Sequence, residues 1–181
     1  MLESLLSLDS SLLVWVQNTF VVPWLTPIMI GITHMGDAGL CWIGLCFGLV
    51  LYRKTRRTGL VMSASLLGSF VICNILLKNI VARVRPYEIL PAVERLIEQQ
   101  SDFSFPSGHT SISFAAAVVV LCLCPCRYGL PCILFATLMG FTRLYLGVHY
   151  PLDVLVGLLL GSGIALLSVC IYRKYWDIPL V

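Results

Sequence analysis

Charge is what this sequence has least of. Asp, Glu, Lys and Arg make up only 12% of its 181 residues, against 59% hydrophobic, a balance that sets it apart from ordinary soluble domains. The formal net charge of +3 is too small to argue for a nucleic-acid partner. A disulfide framework is missing as well. Cys41, Cys46, Cys73 and Cys170 lie in apolar runs, where a thiol behaves as a small hydrophobe. Cys122, Cys124 and Cys126 alternate just before Arg127 with no histidine near, a spacing that fits no standard zinc pattern, so neither a metal nor any other cofactor is expected. The N-terminus carries Glu3 and Asp9 where a secretory signal would carry basic residues, and the segment is expected to stay in the mature protein. Internal repeats and low-complexity tracts are absent too, and the tail from Asp177 to Val181 carries no readable signal.

What the chain does have is apolar runs, at about 38–52, 59–77, 107–124, 130–148 and 151–172, several near the ~20 residues that cross a bilayer. The expectation is an all-α fold, a polytopic transmembrane helix bundle of five to six spans in a single domain, 1–181. Residues 1–35 read as an amphipathic or partial N-terminal helix, because Asp9, Ser10, Ser11, Gln17 and Asn18 interrupt its leucines and valines. Pro23 and Pro27 break or kink its second half, Trp15 and Trp24 suit an interface, and His34, Gly36, Asp37 and Gly39 read as a polar turn. Arg53, Lys54, Arg56 and Arg57 form one basic loop, with Arg127 and the Arg173–Lys174 pair as further basic sites. The positive-inside rule assigns these to the cytoplasm. Counting spans from there puts all three histidines on the other face, at the extracytoplasmic side of a plasma membrane. Residues 78–106 form one long polar loop on that side, expected to wall the site, with a short surface helix at 92–100.

Three polar clusters stand out from this background. Lys78 and Arg85, followed by Pro86, are two cations at a helix end, able to neutralise a phosphate or simply to reach lipid headgroups. Pro106-Ser107-Gly108-His109 opens an apolar run: Ser107 suits an N-cap, Gly108 lets an anion approach free backbone N–H groups, and His109 stands where a proton is needed. A plain cap beside an interfacial histidine reads the same letters. Arg143 precedes His149, and Asp153 follows four residues on. A carboxylate so placed orients a histidine as base or nucleophile, and a guanidinium holds a phosphate by paired hydrogen bonds. The plain alternative is a polar cluster pinning two helix ends. Yet charges placed near hydrocarbon are costly and functional by default.

In order and in internal spacing, Lys78-x6-Arg85-Pro86, Pro106-Ser107-Gly108-His109 and Arg143-x5-His149-x3-Asp153 resemble the three signature motifs of the type 2 phosphatidic acid phosphatase superfamily. Two features depart from the pattern: Thr142 stands where serine is usual, and the N-terminal segment is short for a sixth span. The resemblance implies hydrolysis of a phosphate ester or anhydride without a metal, through a phosphohistidine. It makes His149 the nucleophile, Asp153 its orienting partner and His109 the general acid. Lys78, Arg85 and Arg143, with Ser107 and Gly108, would bind the phosphate. The partner it implies is an amphiphilic lipid phosphate or diphosphate, undecaprenyl diphosphate first, with phosphatidylglycerophosphate, phosphatidic acid and lipid A as alternatives. Transfer of the phosphoryl group to another acceptor stays open, as does a protein that only binds or transports a lipid headgroup.

Overall fold

The computed structural model describes residues 2–176, so the Asp177–Val181 tail lies outside the described residues. Those residues form an all-helical bundle: α1 (Leu2–Phe20), α2 (Thr26–Met35), α3 (Leu40–Leu51), α4 (Arg56–Ser69), α5 (Lys78–Val81), α6 (Pro86–Ile89), α7 (Gly108–Leu123), α8 (Cys126–Tyr145) and α9 (Pro151–Trp176). Wider π-type turns over Phe70–Leu77 join α4 to α5. The chain starts α2 with Pro27 in its first turn, where the missing N–H costs nothing.

The bundle is organised around α7. Ala115, Ala116, Ala117 and Val119 are fully buried, and α7 packs against α9, α8 and α4. The α7–α9 contact is a small-residue one. A methyl group at Gly161 would lie 2.1 Å from the Ser111 carbonyl oxygen, and one at Gly157 would lie 2.7 Å from that of Ser107. Two glycines four residues apart on one helix let two backbones meet, the packing mode apolar helices use where the hydrophobic effect gives no drive. Buried hydroxyls add interhelical hydrogen bonds: Ser65 donates to the Ala115 carbonyl at 2.9 Å, and Trp42 Nε1–H to Ser113 Oγ at 2.8 Å. Around this core the outward faces are apolar, with Phe47, Leu60, Leu67, Leu134, Leu159 and Leu167 all exposed. All eight cysteines are free thiols.

Among the described residues, two helical runs are long and apolar enough to cross a membrane, Arg56–Ile89 and Pro151–Tyr175. A third is added if the pair Thr26–Met35 and Asp37–Leu51, bent by 46°, counts as one. That is fewer than the five to six spans expected. One of the missing spans is α7, whose 16 residues give ~24 Å of helix against a hydrocarbon core of ~30 Å.

Helix α1 is amphipathic in an inverted sense. Asp9, Leu13, Val16 and Gln17, a helical stripe, are buried against the rest of the molecule, while Leu5, Leu8 and Leu12 face outward. The expected helix at 92–100 does not form; the short α6 lies earlier, opened by Pro86. The backbone at 92–100 spends its hydrogen bonds elsewhere. Glu94 exchanges two with the Gln17 side chain, at 2.8 and 3.0 Å, and the Leu96 N–H donates to the Leu146 carbonyl at 3.3 Å. With Glu94 and Leu96 pinned to α1 and to the end of α8, the segment is held in a non-helical course.

Candidate active site

At one end of the bundle α5, the start of α7, the end of α8 and the loop before α9 converge on a cavity of about 170 Å³. Lys78, Arg85, Gly108, His109, Arg143 and His149 are all on its wall. Ser107 and Asp153 stand just behind. Ser107 is the N-cap of α7, its Oγ accepting from the Thr110 N–H at 3.5 Å and the Thr110 hydroxyl at 2.9 Å. Its own N–H donates to the Asp153 carbonyl at 3.0 Å, which ties the first turn of α7 to that of α9.

His149 is fixed from behind. Its Nδ1 lies 3.4 Å from Asp153 Oδ2, long for a hydrogen bond but close enough for the carboxylate to orient the ring. Asp153 is held on all sides: Oδ2 accepts from the Tyr150 N–H at 2.9 Å and from the Ser104 hydroxyl, and Oδ1 pairs with Arg83 at 2.7 Å. Burial, reinforced by the guanidiniums of Arg85 and Arg143, pulls the His149 imidazole down to about 3 against the opposing bond from Asp153. His149 is therefore neutral near pH 7, the form in which a ring nitrogen is a nucleophile.

The cations are placed unequally. Lys78 and Arg85 both form ion pairs with Asp102, on the loop before α7, and Arg85 Nη1 also donates to the Val148 carbonyl at 2.8 Å. Burial works to raise the Asp102 carboxyl, but its bonds to Lys78 and the charges of Lys78 and Arg85 win and hold it at about 2. Arg143 is almost fully buried. Its Nη1 donates to Thr33 Oγ1 of α2, and its Nε has no partner. A buried guanidinium with a spare donor on a cavity wall is a standing demand for an anion.

Several residues with a part in this arrangement were not picked out from the sequence. Arg83 bridges Asp153 to Asp9 of α1, at 2.7 Å each way, and stacks over the Tyr150 ring at 3.7 Å. Asp9 also accepts from the Leu152 N–H at 2.8 Å. The available signals were a carboxylate on the buried stripe of an apolar helix and an arginine two residues before Arg85. Asp102, Ser104 and Thr33 carried no comparable signal. Asn74, in the π-type turns, also lines the cavity. Its Oδ1 lies 2.5 Å from where a Gly108 side chain would begin, and it has no partner.

Comparison with known proteins finds a family, curated relatives and solved structures similar to this chain. The PAP2 superfamily, described by that name, matches residues 58–177. An undecaprenyl-diphosphatase of Sulfolobus acidocaldarius is 35% identical over 128 residues, covering 71% of this chain and 62% of that protein. The chain thus spans less than two thirds of that relative's length. Phosphatidylglycerophosphatase B of Bacillus subtilis is 36% identical over 154 residues, 77% of this chain and 71% of that one. The crystal structure of Aquifex aeolicus LpxE superposes with a TM-score of 0.79 at 28% identity, over 88% of this chain and 93% of that one.

Proposed function

The chain belongs to the PAP2 superfamily, and from that premise we propose that it is a membrane phosphatase that removes phosphate from an amphiphilic lipid phosphate or diphosphate through a phosphohistidine. The observation that carries this reading is the cavity itself. Three cations, Lys78, Arg85 and Arg143, surround a space beside a neutral, buried His149, and one of them keeps an unused donor. Phosphoryl transfer asks mainly for positioning and charge stabilisation, and three cations with the N-terminus of α7 supply both without calling on a metal.

In the first step His149 attacks phosphorus through Nε2, since Nδ1 faces Asp153. The P–N bond forms as the bond from phosphorus to the leaving oxygen breaks. His109 gives that oxygen its proton, and Asp153 stabilises the charge left on His149. Lys78, Arg85 and Arg143, with the N–H groups around Gly108, hold the three non-bridging oxygens. Ser107 serves through its cap, which fixes the turn carrying Gly108 and His109. In the second step water attacks phosphorus, His109 takes the water's proton, and the P–N electrons return to His149.

The exposed apolar helix faces support a lipid tail lying between protein and bilayer while the phosphate enters the cavity. The basic Arg53–Arg57 loop belongs to the opposite end, which supports an extracytoplasmic site in a plasma membrane. Undecaprenyl diphosphate is the substrate we favour, since a relative bears that activity in its name. Phosphatidylglycerophosphate has the same kind of support.

The test is phosphate release by detergent-purified protein in EDTA, from undecaprenyl diphosphate, phosphatidylglycerophosphate, phosphatidic acid and lipid A in parallel. Release is expected to survive chelation and to vanish in His149→Ala, and the order among the four lipids names the substrate. A His149→Ala protein as active as wild type sinks the phosphohistidine reading.

A further inference from the structure

Beside the cavity, on the turn between α2 and α3, Asp37 makes two contacts that the reaction as described does not use. Its Oδ1 lies 3.1 Å from His109 Nε2, and its Oδ2 lies 2.7 Å from His34 Nδ1. The turn is built to bring the carboxylate there. Ala38 and Gly39 both adopt left-handed backbone, at φ of 50° and 72°, a conformation an alanine takes only when its surroundings demand it. Gly36 lies against the ring itself: a methyl group there would stand 2.8 Å from His109 Cδ2. Gly36, Ala38 and Gly39 are also on the cavity wall.

We propose that Asp37 is a positioning residue for the general acid: it holds His109 by Nε2, turns Nδ1 towards the leaving oxygen, and stabilises the protonated ring. The inference rests on His109 being the acid of the proposed reaction. The site then contains two histidine–carboxylate pairs with opposite tasks. Asp153 faces Nδ1 of the nucleophile, and Asp37 faces Nε2 of the acid. His34, on the exposed rim, anchors the second oxygen of Asp37. The need for such support is electrostatic. His109 shares its surroundings with Arg143 of α8, Lys78 of α5, and Arg85 and His149 across the cavity. The negative groups nearby are Asp37 and Asp102, and Asp102 is already paired with Lys78 and Arg85. A proton on the ring meets mostly positive neighbours, and Asp37 is the carboxylate bonded to it.

The test compares wild type, Asp37→Asn and Asp37→Glu on two substrates. One is a long-chain alkyl phosphate, whose alkoxide must be protonated as it leaves. The other is p-nitrophenyl phosphate, whose leaving group needs no proton. With Asp37→Asn, kcat/KM on the alkyl ester, which reads the step in which the leaving oxygen departs, is expected to fall on the order of tenfold to a hundredfold, within the range general-acid catalysis supplies. The aryl ester should be nearly unaffected, and Asp37→Glu should recover part of the loss. The basic limb of the alkyl-ester pH profile should move to lower pH, because the imidazolium has lost its carboxylate. An equal loss on both substrates overturns the proposal, as does an unmoved pH profile. A second readout does not depend on turnover. In ¹⁵N-histidine NMR, the His109 titration is expected to shift to lower pH in Asp37→Asn, and an unshifted titration overturns the proposal even if activity falls. If wild type releases phosphate from neither ester and from none of the four lipids but the His109 titration moves, the phosphatase reading fails while the Asp37–His109 coupling stands.

Discussion

Between Lys78 and Arg85 the protein holds the carboxylate of Asp102, in ion pairs with both cations, where an incoming phosphoryl group would have to compete for the same charges. Asp102→Asn keeps the shape and removes the competitor. Inhibition by inorganic phosphate should tighten roughly fivefold, about what one partly exposed ion pair of ~1 kcal/mol is worth, as read from phosphate titrations of the hydrolysis rate. Weaker inhibition in that variant would mean that Asp102 organises the cations instead of competing for them. His149 gives a prediction of a different kind. Its folded-state value, about 3, lies below the unfolded one, so the unfolded chain binds the extra proton as pH falls. The stability this contributes is present above about pH 6.5, the unfolded value, and is lost as pH drops towards 3. Asp102, held at about 2, acts in the same direction below the ordinary carboxylate range. Thermal stability in detergent should therefore fall on acidification from pH 7 to 4, and His149→Gln should flatten that slope.

At the scale of helices, the α7–α9 contact and the α1 stripe each support a substitution with a built-in control. Gly161 faces the Ser111 carbonyl with no room for a side chain, whereas Gly163, two residues on, has nothing within 4 Å. Gly161→Ala should lower stability by about 1–3 kcal/mol, the usual range for overpacking. Gly163→Ala should be neutral or slightly stabilising, since alanine is the better helix former. If thermal unfolding ranks them equally, close backbone approach does not hold this bundle together. Helix α1 docks through Asp9, whose side chain is 1% exposed against Arg83 at 18%. Asp9→Ala leaves that guanidinium half-paired, and a loss of about 3 kcal/mol is expected for breaking a buried pair. Because Arg83 also holds Asp153, hydrolysis should fall along with stability, and Asp9→Asn should cost less on both counts.

Across the whole molecule, the parts legible in the sequence were those where chemistry violates the membrane background. Lys78, Arg85, His109, Arg143, His149 and Asp153 each stand as polar residues among apolar ones, so each announces itself, and the apolar runs between them set the order in which the chain returns to one end. The parts that stayed hidden are contributions across long sequence separations. Thr33 reaches Arg143, Asp9 reaches Arg83 and Asp37 reaches His109 from segments 70 or more residues away, and no local pattern specifies such a partner. The 92–100 segment misled for the same reason: its composition suits a helix, but Gln17 and Leu146 bond the amides of Glu94 and Leu96 from far along the chain. The same end-to-end layout carries the last prediction. The cavity and the turn before α8 lie at opposite ends of α7, and Cys126, at that turn, is exposed. If the basic Arg53–Arg57 end faces the cytoplasm, intact spheroplasts should hydrolyse a lipid phosphate supplied from outside. In the same cells Cys126 should resist a membrane-impermeant maleimide until they are permeabilised, with Cys126→Ser identifying its share of the label. Immediate labelling of Cys126, with hydrolysis appearing only after permeabilisation, would invert the molecule in the membrane. The catalytic geometry would stand, and the substrate would have to be sought among lipids of the inner leaflet.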